Sequence, residues 1–70
     1  MLAANIKKLR KKYNLSQEEL ARKARITYST LIKIESGANK NPTVNTIAKI
    51  AKALSTEIDR LLWKEITLNT

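Results

Sequence analysis

Between Leu15 and Gly37 the chain places two helix starts and two helix stops in one short stretch, and this punctuation constrains the fold more than any other feature. Ser16 and Glu19 have the Ser-x-x-Glu spacing of a capping box, in which each side chain accepts a hydrogen bond from a helix-start N–H. Leu15 precedes the cap and Leu20 follows it at the spacing of a hydrophobic staple. Thr27 repeats the arrangement, with Ile26 before it and Leu31 at the stapling position. Gly37, the only glycine in the chain, falls just past Ile34-Glu35-Ser36, where a helix end favours a left-handed residue. The pattern predicts helices over residues 17–24 and 28–36, separated by a tight turn.

The flanking segments read as further helices. Leu2, Ile6, Leu9 and Tyr13 recur along one helical face. Lys7, Lys8, Lys11 and Lys12 lie largely off that face, and Asn14 can adopt the left-handed conformation that ends such a helix. Ala38-Asn39-Lys40-Asn41-Pro42 is a loop by composition. Thr43 is an N-cap candidate, and Val44, Ile47, Ile50, Ala51 and Leu54 follow with helical spacing, so a fourth helix is expected over 44–54. Ile58, Leu61 and Leu62 mark a short fifth helix over 57–63. Five helices joined by short turns imply an all-α fold, a compact five-helix bundle. The expected organisation is one domain over 1–64 and a C-terminal tail over 65–70.

Composition narrows the chemistry. The chain has 70 residues, 43% of them hydrophobic, with no cysteine and no histidine. Disulfides, thiolate metal sites and imidazole catalysis are therefore excluded. Glu18, Glu19 and Glu35 without such partners make no acid–base set, so neither an enzyme, a metal nor a cofactor is expected. No apolar run reaches the ~20 residues of a membrane span. Met1-Leu2-Ala3-Ala4 is too short for a signal-peptide core, and Lys7 and Lys8 interrupt it. The net charge of +8 is unevenly placed: residues 1–40 carry ten Lys or Arg against three Glu, and residues 41–70 carry four against three acids. The positive field thus belongs to the half with the two capped helices, which fits a polyanion binder and equally a solvated, solubilising surface.

Two short capped helices joined by a tight turn have the layout of a helix-turn-helix, whose second helix enters the DNA major groove. The chain also resembles the phage-repressor and Cro-like (XRE-type) helix-turn-helix family of transcription regulators. The resemblance rests on Ile6-x-x-Leu9-Arg10, on Leu15-Ser16-Gln17-Glu18-Glu19-Leu20-Ala21, on Ile26-Thr27-x-x-x-Leu31-x-x-Ile34-Glu35-x-Gly37, and on Pro42-Thr43-x-x-x-Ile47-x-x-Ile50-Ala51-x-Ala53-Leu54. It covers roughly residues 5–62 and implies a lambda-repressor-like domain with the motif at helices two and three. Two positions depart from the family pattern. Arg25 stands where relatives often have glycine or a small polar residue. Ser55-Thr56-Glu57 stands where Gly-Val-Ser is common, which removes a helix-ending glycine.

The resemblance implies roles for particular residues. Gln17 matches a backbone-phosphate contact at a helix N-terminus. Thr27, Tyr28, Ser29 and Lys33 match groove-facing positions, and Lys40, Asn41 and Thr43 match further backbone contacts. Arg10 and Glu35 match a structural pair that ties the first helix to the recognition helix. Ile32 is unexpected, because Leu31 and Ile34 already supply the core face; it either half-buries against a neighbour or touches thymine methyls. Trp63, Ile66 and Leu68 either fold back onto the core or form a dimer interface.

The function expected from this reading is a sequence-specific double-stranded DNA-binding regulator, a repressor before an activator. It would act as a homodimer on a pseudo-palindromic operator, in the cytoplasm and on the nucleoid. Two alternatives stay open. One is the antitoxin of a toxin–antitoxin operon, with the apolar tail docking a toxin. The other is a basic RNA-binding module, which has only Tyr28 placed for base stacking.

Overall fold

The computed structural model describes residues 2–62, and Trp63, Ile66 and Leu68 lie outside the described residues. Five helices follow one another: α1 (Leu2–Lys12), α2 (Gln17–Ala24), α3 (Tyr28–Glu35), α4 (Val44–Ala53) and α5 (Ile58–Leu62). No strand occurs among the described residues. α2 packs chiefly on α4, α1 and α2 flank α3, and α5 closes the bundle against α1 and α4. Each helix is short, so its stability comes from burying one face more than from its own hydrogen bonds. The seven large side chains sealed in the centre are Ile6, Leu20, Leu31, Ile34, Ile50, Leu54 and Leu61, with contributions from every helix and from the residue that caps α4.

The helix starts form as their sequences dictate. Ser16 Oγ accepts from the Glu19 N–H at 3.0 Å, and the Glu19 carboxylate accepts from the Ser16 N–H at 2.8 Å. Hydrogen bonding from Ser16, its backbone N–H first and its side chain second, holds the exposed Glu19 carboxyl below the ordinary glutamate range. Thr27 and Thr43 cap α3 and α4 by accepting from the Thr30 and Thr46 N–H groups at 3.0 and 3.1 Å. In both, the cap hydroxyl also donates to the threonine three residues on, at 2.7 and 2.9 Å. A Thr-x-x-Thr spacing thus fixes the entry to both helices.

Three helix ends share one solution. Asn14, Arg25 and Ser55 stand in the left-handed region at φ 57°, 59° and 54°. After each, the chain closes with the paired bonds of a Schellman motif: Leu15 to Arg10, Ile26 to Ala21 and Thr56 to Ala51, at 3.0, 3.0 and 2.9 Å. Asparagine suits this conformation; arginine and serine adopt it because the turn demands it. Ser55 therefore does the work of the glycine missing from the α4–α5 junction.

Two apolar residues depart from the sequence expectation. Tyr13 lies beyond the end of α1 and is 46% exposed, with the Lys12 ammonium 5.8 Å from its ring centroid. Val44 is 71% exposed, because it is the first residue of α4 and precedes the turn that faces the core. α5 begins at Ile58, one residue after the expected start, and residue 63 of the expected span lies outside the described residues. No helix among the described residues is long and apolar enough to cross a membrane.

Relief of the left-handed strain at Ser55 gains about 1–2 kcal/mol, while glycine's greater freedom in the unfolded chain costs about 0.5–1 kcal/mol. Ser55→Gly should therefore raise unfolding stability by roughly 0.5–1 kcal/mol in urea denaturation. A loss of stability would contradict this account of the junction.

Candidate nucleic-acid interface

The orientation of α3 is set by one buried carboxylate. Glu35, in the last turn of α3, has a side chain only 2% exposed. The Arg10 guanidinium of α1 grips it with two prongs, Nε to Oε2 at 2.8 Å and Nη2 to Oε1 at 3.1 Å. The paired, planar geometry makes this a strong form of ion pair. A third Arg10 donor, Nη1, reaches the Leu15 carbonyl at 2.9 Å. The Gln17 amide, at the start of α2, donates to Glu35 Oε1 at 3.0 Å. One carboxylate therefore ties together α1, the turn before α2, the first residue of α2 and the end of α3. Every buried side-chain nitrogen and oxygen among the described residues has a partner, so the charge is not stranded.

With its inner face held, α3 presents its outer face to solvent. Leu31, Ile34 and Glu35 face inward. Tyr28, Ser29, Lys33 and Ser36 are exposed, and Ile32 is half-buried. Residues four apart share a ridge on a helix. The outer surface therefore carries two ridges, Tyr28–Ile32–Ser36 and Ser29–Lys33. The other residues singled out by sequence differ in exposure. Gln17 is half-buried at the start of α2; Thr27 is the exposed cap of α3; Lys40, Asn41 and Thr43 are exposed in the loop before α4 and at its cap.

The loop is built onto α3. Gly37 takes φ 85°. The Asn39 N–H donates to the Lys33 carbonyl at 2.9 Å, and Asn39 Oδ1 accepts from the Asn41 N–H at 3.0 Å. Lys40 is thus displayed between two anchored asparagines.

Several details refine what the side chains can offer. Gln17 has two amide hydrogens; Glu35 takes one, and the other is free for an anion. The Thr27 and Thr43 hydroxyl hydrogens are committed to Thr30 and Thr46. Their methyl groups and the free first-turn N–H groups of α3 and α4 are what remains for a ligand. Sequence reasoning missed the Gln17–Glu35 bond, which depends on packing between residues distant in the chain. It also missed Asn5, whose amide donates to the Leu61 carbonyl at 2.9 Å and joins α1 to α5. An amide on the polar side of α1 was the only signal for it.

A helix-turn-helix family model matches residues 6–61 of this chain. The chain belongs to that family, in its XRE-type branch. It is similar to the N-terminal DNA-binding domain of SinR from Bacillus subtilis, at a TM-score of 0.89 and 32% identity over 93% of this chain and 94% of that one. It is similar to SinR, described as the master regulator for biofilm formation, solved in complex with DNA, at a TM-score of 0.87 and 33% identity over 90% of this chain and 100% of that one. A SinR–SinI protein complex matches at a TM-score of 0.87 and 31% identity, covering 100% of this chain and 67% of that one. An uncharacterized HTH-type transcriptional regulator from Archaeoglobus fulgidus is 33% identical over 58 residues, 83% of this chain and 80% of the relative.

Removing the Glu35 carboxylate leaves the Arg10 guanidinium largely buried without its partner. Glu35→Ala should cost about 3–5 kcal/mol of unfolding stability, read as a large drop in melting temperature. An unchanged melting temperature would refute the structural role of the pair.

Proposed function

We propose that this chain is a sequence-specific regulator of transcription that binds double-stranded DNA as a homodimer, each subunit laying α3 in the major groove. The observation that carries this reading is the outer face of α3, held by the buried Arg10–Glu35 pair and left exposed with Tyr28, Ser29 and Lys33. We add Thr27, at the start of α3, to the groove-facing residues, and assign Gln17, Lys40, Asn41 and Thr43 to backbone-phosphate contacts. Lysine and backbone N–H contacts to phosphate supply affinity, while side chains on base edges supply discrimination. Lys33 is suited to guanine O6 and N7. The SinR structure solved with DNA supports the same use of this fold.

In a homodimer, two recognition helices about 34 Å apart would read a pseudo-palindromic operator. Repression by occupying that operator is the simplest outcome for a domain of this size, acting in the cytoplasm on the nucleoid. The DNA-binding unit is assigned to residues 1–64, and the tail over 65–70, with Trp63, Ile66 and Leu68, to subunit contact. A second reading is an antitoxin whose tail docks a toxin; the SinR–SinI complex supports only its coarser part, a protein partner.

The test is a selection from randomised duplexes at about 150 mM salt. A symmetric motif with half-sites about one helical turn apart is expected; no enriched motif would overturn the proposal. On the recovered site, Lys33→Ala should cost about 1–3 kcal/mol and should cost less on random duplex. Equal losses on both would reduce Lys33 to a phosphate contact.

A further inference from the structure

One ridge of α3 carries side chains that neither the core nor phosphate binding requires. The inward face is complete without it, since Leu31 and Ile34 are 0% and 1% exposed. Yet Ile32 stands outside that face, half-buried, and Tyr28, one turn earlier on the same ridge, is 50% exposed. The neighbouring ridge, Ser29–Lys33, is polar. The helix is regular at this point, with the Ser36 N–H donating to the Ile32 carbonyl at 2.9 Å, so the ridge is not an artefact of a distorted turn.

A major groove offers one apolar feature to such a ridge. Guanine, cytosine and adenine present only hydrogen-bonding atoms there, whereas thymine presents its C5 methyl group. An isoleucine pressed on a cytosine amino group or a guanine carbonyl would strip water from a polar atom and return no hydrogen bond, which is costly. Pressed on a methyl, it removes apolar surface from water on both sides. The ridge therefore rewards thymine and penalises G·C at the same position.

We infer that the DNA half-site is read in two parallel tracks, with thymine methyl groups held by the Tyr28–Ile32 ridge beside the polar track read by Ser29 and Lys33. This rests on the DNA-binding reading given above. Ile32 becomes a specificity-determining residue, and Tyr28 contributes its ring face to the same track. The half-site must then contain thymine next to the base pair read by Lys33.

The experiment scans deoxyuridine through the site recovered from randomised duplexes, replacing one thymine at a time and measuring affinity by fluorescence anisotropy. Deoxyuridine removes only the methyl. At one or two positions per half-site the affinity should fall about fourfold, the value of one buried carbon. Ile32→Val should shrink that penalty at one position, and Ile32→Ala should abolish it there, while sensitivity at guanine positions persists. Such coupling between protein and DNA changes is the signature of direct contact. Deoxyuridine matching thymine at every position with the unaltered protein would overturn this proposal alone. So would a deoxyuridine penalty that is unchanged in Ile32→Val, a variant that keeps the β-branched shape of the site. Failure to recover any motif would overturn the regulator reading and this proposal with it.

Discussion

The buried Glu35 carboxylate is the interaction on which the rest of this domain depends. A bundle of short helices has little of its own to fix the angle at which any one of them projects. Here a single residue in α3 accepts three hydrogen bonds, two from Arg10 of α1 and one from Gln17 of α2. Arg10 spends its remaining reach on the Leu15 carbonyl in the turn before α2. The arrangement is all or nothing. With every partner present the buried charge is satisfied, and with one missing the others are left in a low-dielectric interior without compensation. Such a device contributes orientation more than net stability. Orientation is what a surface meant to fit a groove requires.

The same economy governs the turns. The chain has only one glycine, yet four positions among the described residues need the left-handed backbone. Three of them are filled by residues with side chains, each locked by paired bonds back into the preceding helix. The short turns at Asn14 and Arg25 let α3 pack against both α1 and α2, with Leu20, Leu31 and Ile34 in the common core, and the turn at Ser55 brings α5 back onto α4. Gln17 then serves two purposes. One amide hydrogen holds the carboxylate that orients α3, and the second is left for another acceptor.

What the sequence made visible divides along physical lines. Helix starts were plain because capping is local: Ser16 with Glu19, and Thr27 and Thr43 with the N–H three residues on, need no tertiary structure to be recognised. The all-α class and the core residues followed from periodicity. The Arg10–Glu35 pair came only from resemblance to a family, since nothing local joins positions so far apart. The Gln17–Glu35 and Asn5–Leu61 bonds were invisible for the same reason. Periodicity misled at its edges. Tyr13 and Val44 fit the apolar spacing but lie where α1 has ended and where α4 has not yet turned toward the core. Of the site residues taken from the family pattern, Thr27, Tyr28, Ser29, Lys33, Lys40, Asn41 and Thr43 are exposed and Gln17 is half-buried, while Trp63, Ile66 and Leu68 lie outside the described residues.

The central claim is that the outer face of α3 and its surroundings form the DNA-binding surface. Amide NMR shifts recorded while the duplex recovered by selection is titrated into the protein test it most directly. The account predicts the largest changes at Gln17, Tyr28, Ser29, Lys33, Lys40 and Asn41, with the core residues Ile50 and Leu61 little affected. Changes centred on α5 or on the lysine face of α1, with the α3 amides unmoved, would contradict it.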